Sequence, residues 1–175
     1  MSTNNQWLNL SLEGVEAAKA DRVRAFRLLM LEGARLRGLL DRALAPSGMT
    51  AQQGSMLSWI GAQAAPPTIS AVAAAMAMTH QNVKQIALAL ERKGFLEIQV
   101  DAQDRRFRHL VLTKQHHQFW NRRNPDDFAA VQSWMAAWTD AEVRQVLRLL
   151  RRLHRHLDAQ NGRAYLLPGS TTIPS

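Results

Sequence analysis

The chain has 175 residues, 46% of them apolar and none of them cysteine, with a formal net charge of +8 at pH 7 and a pI of about 11.2. That apolar fraction is too high for a wholly disordered chain, and the lack of cysteine excludes disulfides, thiolate metal sites and thiol redox chemistry. The charge favours a polyanionic partner, nucleic acid ahead of an anionic membrane surface.

The first ten residues are polar and read as loosely ordered. The opening MSTNNQWLNLSLEG has no basic stretch leading into an apolar run, so no secretory signal is expected. No segment reaches ~18 uninterrupted apolar residues, so no membrane span is expected and the expected location is the cytoplasm. From about residue 12 to 44 the pattern is helical: Phe26, Leu29, Gly33, Leu36 and Leu40 recur at helical spacing among charged residues. APSG (45–48) stops it. Thr50 and Gln53 then form a T-x-x-Q capping box, which satisfies free amides at a helix start. Met56, Leu57 and Ile60 make the buried face of that helix, and QAAPP (63–67) ends it. A short alanine-rich helix follows in ISAVAAAMAM, with Ile69, Val72, Ala73 and Met76 inward.

Thr79 restarts the chain as an N-cap. In HQNVKQIALALERKG, Val83, Ile86, Ala87 and Leu90 fall at i, i+3, i+4 and i+7, and Gly94 terminates the helix. The opposite face carries His80, Gln81, Asn82, Lys84 and Gln85. The period then changes from helix to strand. Leu96, Ile98 and Val100 alternate with Glu97 and Gln99, and Leu110 and Leu112 alternate with His109 and Val111. Between these strands lies DAQDRRFR, a turn rich in arginine. Thr113 caps the next helix, which proline at 125 either kinks or divides. Thr139 and Glu142 form another capping box. The last helix places Val143, Val146, Leu147, Leu150, Leu153 and Leu157 on one face.

Three helices followed by a hairpin is the layout of a winged helix-turn-helix, in which the second helix of the pair enters the major groove and the hairpin wing touches the flanking backbone or minor groove. The fold class is therefore mainly α with a small β-hairpin wing. Asn and Gln amides pair with adenine edges, and lysine reaches guanine acceptors or phosphate. The expected DNA-binding residues are Thr79, His80, Gln81, Asn82, Lys84 and Gln85 on the helix, and Asp104, Arg105, Arg106 and Arg108 on the wing. Thr79 reads as a cap and phosphate contact rather than a base reader. Asp104 is placed to orient a neighbouring arginine, Arg108 to contact DNA or to pair across the hairpin, and Asp101 to form the turn.

The run MTHQNVKQIALALERKGFLEIQVDAQDRRFRHLVLT resembles the recognition helix and wing of the MarR family of bacterial transcriptional regulators. The family's wing pattern, D-x-x-D-x-R followed by L-T, is matched by Asp101, Asp104, Arg106, Leu112 and Thr113. The resemblance covers roughly residues 15–157. Two departures stand out: Ala102 where the family often has proline, and His80-Gln81-Asn82 where acidic or small residues are common. The first bears on wing rigidity, the second on operator choice.

The resemblance implies a homodimer whose terminal helices intertwine, two lobes on successive major grooves of a pseudo-palindromic operator, and often a repressor released by a small-molecule effector. It makes Arg106 the arginine for the minor groove and places Trp59 at the border of an effector pocket. The implied organisation is an N-terminal extension (1–11), a dimerisation helix (12–48), the winged helix-turn-helix lobe (49–113), C-terminal dimerisation helices (114–158) and a flexible tail (159–175). Apolar residues on the last helix, with Phe128, Val131, Trp134 and Trp138, exceed what a small winged core covers and favour a partner independently.

Other chemistry finds little support. His116 and His117 are adjacent, His154 and His156 lie two apart, and His80 and His109 are isolated, so no metal site or cofactor is expected. No nucleophile elbow, phosphate loop or catalytic carboxylate pair is visible, so no enzyme is expected. The arginines 148, 151, 152 and 155 read as a solvated face, and Trp120, Trp134, Trp138 and Phe119 as packing. The alternative function is a non-sequence-specific nucleic-acid-binding or architectural protein. The amide-rich recognition helix argues against it.

Overall fold

The computed structural model of the chain describes residues 6–161, Asn161 without its side chain. The expectations for residues 1–5 and for the tail from 162 onward lie outside the described residues. The chain divides into two compact units, 1–123 and 124–175.

The first unit opens with a short helix, α1 (Gln6–Asn9), where the sequence reads as loosely ordered. Its anchor is Leu8, which is buried. Arg27 donates to the carbonyls of Trp7, Leu8 and Leu10 at 3.1, 2.8 and 3.0 Å, satisfying oxygens that a helix end leaves without partners. Helix α2 (Ala17–Leu44) starts five residues later than the apolar pattern suggests. Ser11 and Gly14 hold positive φ angles of 59° and 73°, which no α-helix accommodates.

The lobe follows: α3 (Ala51–Gly61), α4 (Ile69–Ala75), α5 (His80–Arg92), then β1 (Leu96–Val100) and β2 (Arg108–Leu112). Both arms of the capping box at Thr50 and Gln53 form. Thr68 and Thr79 cap α4 and α5 by accepting from Ala71 and Asn82 at 3.1 and 3.2 Å. Between α4 and α5 the chain makes a Schellman turn: Met78 N donates to Ala73 O at 2.9 Å and Ala77 N to Ala74 O at 3.4 Å. Ala77 holds φ +50° there, a position that favours glycine.

The strands pair antiparallel, with Leu96 opposite Leu112, Ile98 opposite Leu110 and Val100 opposite Arg108. The segment before α4 adds to this hairpin: Thr68 bridges to His109, and Leu110 N donates to Pro67 O at 2.9 Å. The core joins every element of the lobe. Leu44, Met56, Leu57, Val72, Val83, Leu90, Leu96 and Leu110 are fully buried. Each such aliphatic side chain stabilises by about 1.5–3 kcal/mol relative to exposure. Phe119 and Trp120, from helix α6 (Lys114–Trp134), pack against this cluster.

Thr113 starts α6 as expected, accepting from His116 N at 3.2 Å. The sequence left open a kink or a second helix at Pro125; α6 continues through it to Trp134, and the boundary between the compact units falls just before it. The second unit holds the rest of α6 and α7 (Asp140–Asn161). The capping box at Thr139 forms, with Thr139 N and Oγ1 donating to Glu142 Oε2 at 2.8 and 2.7 Å. These bonds hold the Glu142 carboxyl below its ordinary pKa, the backbone donor contributing most. Among the described residues no helix is long and apolar enough to cross a membrane.

Candidate nucleic-acid interface

Helix α5 is divided as the sequence requires. Val83, Ile86, Ala87 and Leu90 are buried, while His80, Gln81, Lys84 and Gln85 are exposed and Asn82 is half-buried. The exposed four make no side-chain hydrogen bond among the described residues, so their donors and acceptors are free for a ligand. The C-terminal end is fixed by Gly94, which holds φ +75°. Thr113 Oγ1 donates to Gly94 O at 2.6 Å, and Gln115 Nε2 donates to Lys93 O at 3.1 Å. The start of α6 therefore anchors the end of α5.

The wing is organised by two carboxylates. Asp101 Oδ1 accepts from Gln103 N and Asp104 N at 2.8 and 2.9 Å, which bends the chain out of β1. These amides, with His109, draw the Asp101 pKa from 3.8 down to about 2. Asp104 holds Arg106: its Oδ1 accepts from Arg106 N and Nε at 3.0 Å each, and its Oδ2 from Nη2 at 2.7 Å. The guanidinium lowers the Asp104 pKa, and the carboxylate raises that of Arg106. Asp104 is thus the orienting residue for the arginine of the wing pattern, which remains 86% exposed. The Arg105 side chain has no hydrogen-bond partner among the described residues. Arg108 Nη1 donates to Arg105 O and Phe107 O within the turn. The pairing it makes is therefore within the turn rather than across the hairpin.

The two halves of the sequence-predicted site come together at a small cavity of about 40 Å³. His80, at the start of α5, lines it with Arg106, Phe107 and Arg108 of the wing, and Thr68 and Ser70 at the start of α4 complete the wall. Sequence reasoning missed Thr68 and Ser70 as site residues. Trp59 is half-buried and packs against the lobe core, and its carbonyl accepts from Gln63 Nε2 at 2.8 Å.

His109 is not isolated in the fold. Its Nδ1 lies 3.0 Å from Pro66 O and its Nε2 lies 2.9 Å from Asp101 Oδ2. Its pKa is raised, first by the Pro66 carbonyl and then by Asp101. His116 differs: burial pushes its pKa down to about 4, with a contribution from His117.

This order of elements, with a polar helix face beside a basic hairpin, defines a winged helix-turn-helix protein. The model described as "MarR family" matches residues 47–106, from the end of the turn after α2 to Arg106 of the wing, and that stretch of the chain is similar to the family. No curated protein sequence matches the chain. Solved structures do. A MarR-family transcriptional regulator from Rhodococcus sp. RHA1 superposes with a TM-score of 0.68 at 20% identity, covering 81% of this chain and 96% of that one. MepR of S. aureus, solved as a DNA complex, gives 0.64 at 23% identity over 73% of this chain and 93% of that one. CouR of Rhodococcus jostii RHA1, solved with p-coumaroyl-CoA, gives 0.63 at 24% identity over 73% and 89%. At these identities the likeness establishes the fold.

Proposed function

We propose that the chain is a dimeric, sequence-specific DNA-binding transcriptional regulator. One observation carries this reading: a cavity lined by His80, Arg106 and Arg108 brings the start of α5 beside the basic wing, which supports a shared surface for the two. In this reading Gln81, Asn82, Lys84 and Gln85 face base edges, and Thr79 and His80 face the backbone. Arg105, Arg106 and Arg108 follow the backbone and minor groove, with Asp104 setting Arg106.

The dimer reading assigns helices 12–48 and 114–158 to a second copy of the chain. Its support is apolar exposure within each unit. Phe26, Leu29 and Met30 of α2 are 62%, 47% and 63% exposed. In the second unit Phe128, Val131, Trp138, Leu147, Leu150, Leu153 and Leu157 are exposed as well. Faces of this kind are covered by partners in oligomers.

Release of a repressor by a small-molecule effector is the finer reading, with Trp59 bordering the pocket. Its support lies in His116 Nδ1 and Trp120 Nε1, both buried with no hydrogen-bond partner among the described residues. A buried polar atom in that state costs about 1–3 kcal/mol, which a ligand acceptor or donor would recover. The structure of CouR with p-coumaroyl-CoA supports this reading.

The test is competition. A labelled duplex that binds the protein is challenged with unrelated duplex over a salt series, for wild type and Arg106→Ala. Sequence-specific binding resists the competitor, and loss of Arg106 lowers the salt slope by about 1. Equal displacement by any duplex would move the function to a non-specific, architectural nucleic-acid binder.

A further inference from the structure

The geometry points to His109 as the positioning residue of the wing: as an imidazolium it clasps Asp101 of the wing turn to the Pro66 carbonyl before α4, and deprotonation releases the wing. This rests on the DNA-binding reading above only for its consequence in binding, and on the fold alone for the clasp.

A carbonyl oxygen and an ionised carboxylate only accept hydrogen bonds. His109 Nδ1 faces the first at 3.0 Å and Nε2 faces the second at 2.9 Å. A neutral imidazole has one N–H and cannot supply both; the imidazolium has two and can. Asp101 is held ionised by the amides of Gln103 and Asp104, so it does not supply the missing proton. Both contacts therefore form together only when His109 carries its charge.

The two partners belong to different elements. Asp101 Oδ1 builds the turn that presents Asp104, and Asp104 fixes Arg106 by four hydrogen bonds. Pro66 precedes Thr68 and Ser70, which line the cavity opposite Arg106. His109 is thus the side chain that ties the arginine-bearing tip to the far wall of the cavity. Backbone contacts from Thr68 to His109 and from Leu110 N to Pro67 O hold the base of the hairpin to the segment before α4, while Asp101 N to Phe107 O at 3.2 Å and Phe107 N to Asp104 O at 3.0 Å close the turn without tying the tip to that segment.

The charged and titratable surroundings are few. From the wing turn His109 faces Asp101. From β1 it pairs with Gln99, which is neutral and donates to Glu97 Oε2 at 3.1 Å, so Glu97 is the next carboxylate on that face. Its own strand supplies Arg108, whose guanidinium turns back to the Arg105 and Phe107 carbonyls. The segment before α4 contributes the Pro66 carbonyl and no charge. His109 and Asp101 side chains are 30% and 31% exposed, open enough to exchange protons with solvent.

The sign follows. The contacts favour the charged form of His109, so the clasp is complete at mildly acidic pH and is lost as pH rises through the raised folded-state pKa. Three measurements test this on the full chain. First, nitrogen-edited NMR of the His109 ring at mildly acidic pH should show protons on both Nδ1 and Nε2. Second, amide exchange at Gln103, Asp104 and Phe107, corrected for intrinsic base catalysis, should accelerate as His109 titrates, while amides of β1 near Leu96 do not. Third, affinity for the duplex best enriched from a random library should fall roughly fivefold to tenfold between about pH 6 and 9, and His109→Gln should lose most of that dependence, with His80→Gln as the control for the other histidine at the cavity.

Asp101→Asn keeps an oxygen for the turn amides and removes the carboxylate. It should lower the His109 midpoint and carry the midpoint of wing exchange and binding with it, which a merely structural role for His109 would not do. A single ring N–H at mildly acidic pH, or wing exchange indifferent to the His109 titration, overturns the clasp. A confirmed clasp with pH-independent affinity for an enriched duplex overturns its role in binding. Failure of any duplex to bind counts against the DNA reading, and the ring and exchange measurements still decide the clasp.

Discussion

The recognition helix and the wing share one surface and are held by opposite means. Helix α5 is fixed by burial: Val83 and Leu90 are fully excluded from solvent, and its polar face has no role in holding it. The wing has almost no core of its own. Val100 and Phe107 are 51% and 46% exposed, and the tip is organised by Asp101, Asp104, Arg106 and His109. Apolar burial is indifferent to pH and salt over the ordinary range, whereas exposed ionic hydrogen bonds respond to both. The lobe therefore combines a helix held by burial with a hairpin tip whose order depends on conditions.

Substitutions can break that contrast, beginning with the largest effect. Leu90→Ala removes a fully buried side chain from α5 and should cost about 2–5 kcal/mol in urea denaturation, loosening helix and wing together. Gly94→Ala puts a Cβ where φ is +75° and within 2.5 Å of Gln115 Oε1. The glutamine can swing away, but the backbone strain stays, so the loss should be about 1–2 kcal/mol with weaker anchoring of α6. On the binding side, Gln81→Ala or Asn82→Ala should change preference at particular base pairs by roughly 1–3 kcal/mol and leave the salt slope alone. Arg106→Ala should do the reverse, weakening all sequences together.

The smallest effects sharpen the comparison. Thr79→Ala should lower stability by about 1 kcal/mol through loss of the cap on α5. Lowering pH should weaken the wing turn: Asp101 stabilises it above the ordinary carboxylate value of 3.8, and that contribution is lost as pH falls toward about 2, while in the lobe the buried His116 costs stability as pH falls toward about 4. Wing amide exchange against pH should thus show two limits, an acid one set by Asp101 and an alkaline one set by His109. A single transition shared with α5 would contradict the separation.

What the sequence revealed follows the same division. Local signals are written in neighbouring residues, so the caps at Thr50, Thr79, Thr113 and Thr139, the α5 stripe and the strand alternation were all legible. Asp104 beside Arg106 was legible for the same reason. The His109 contact to Pro66 spans 43 positions, and in the strand His109 reads only as an outward residue between Arg108 and Leu110. Thr68 and Ser70 reach the site by tertiary packing, which no spacing encodes. The helix at Gln6–Asn9 escaped notice because one turn is too short for a period; the contacts from Arg27, 17 to 20 positions away, hold it. Pro125 was legible as a feature and ambiguous in effect, because proline removes one helix amide and is compatible with either a kinked helix or a new start.

The central claim is that α5 and the wing together read duplex DNA. Selection from a random duplex library with the purified chain at physiological salt tests it most directly. The account predicts enrichment of a pseudo-palindrome whose half-sites lie about one helical turn apart, as two lobes on successive major grooves require. Salt-sensitive binding with no enriched sequence would contradict it, leaving the basic wing as a phosphate clamp and the amides of α5 without a base to read.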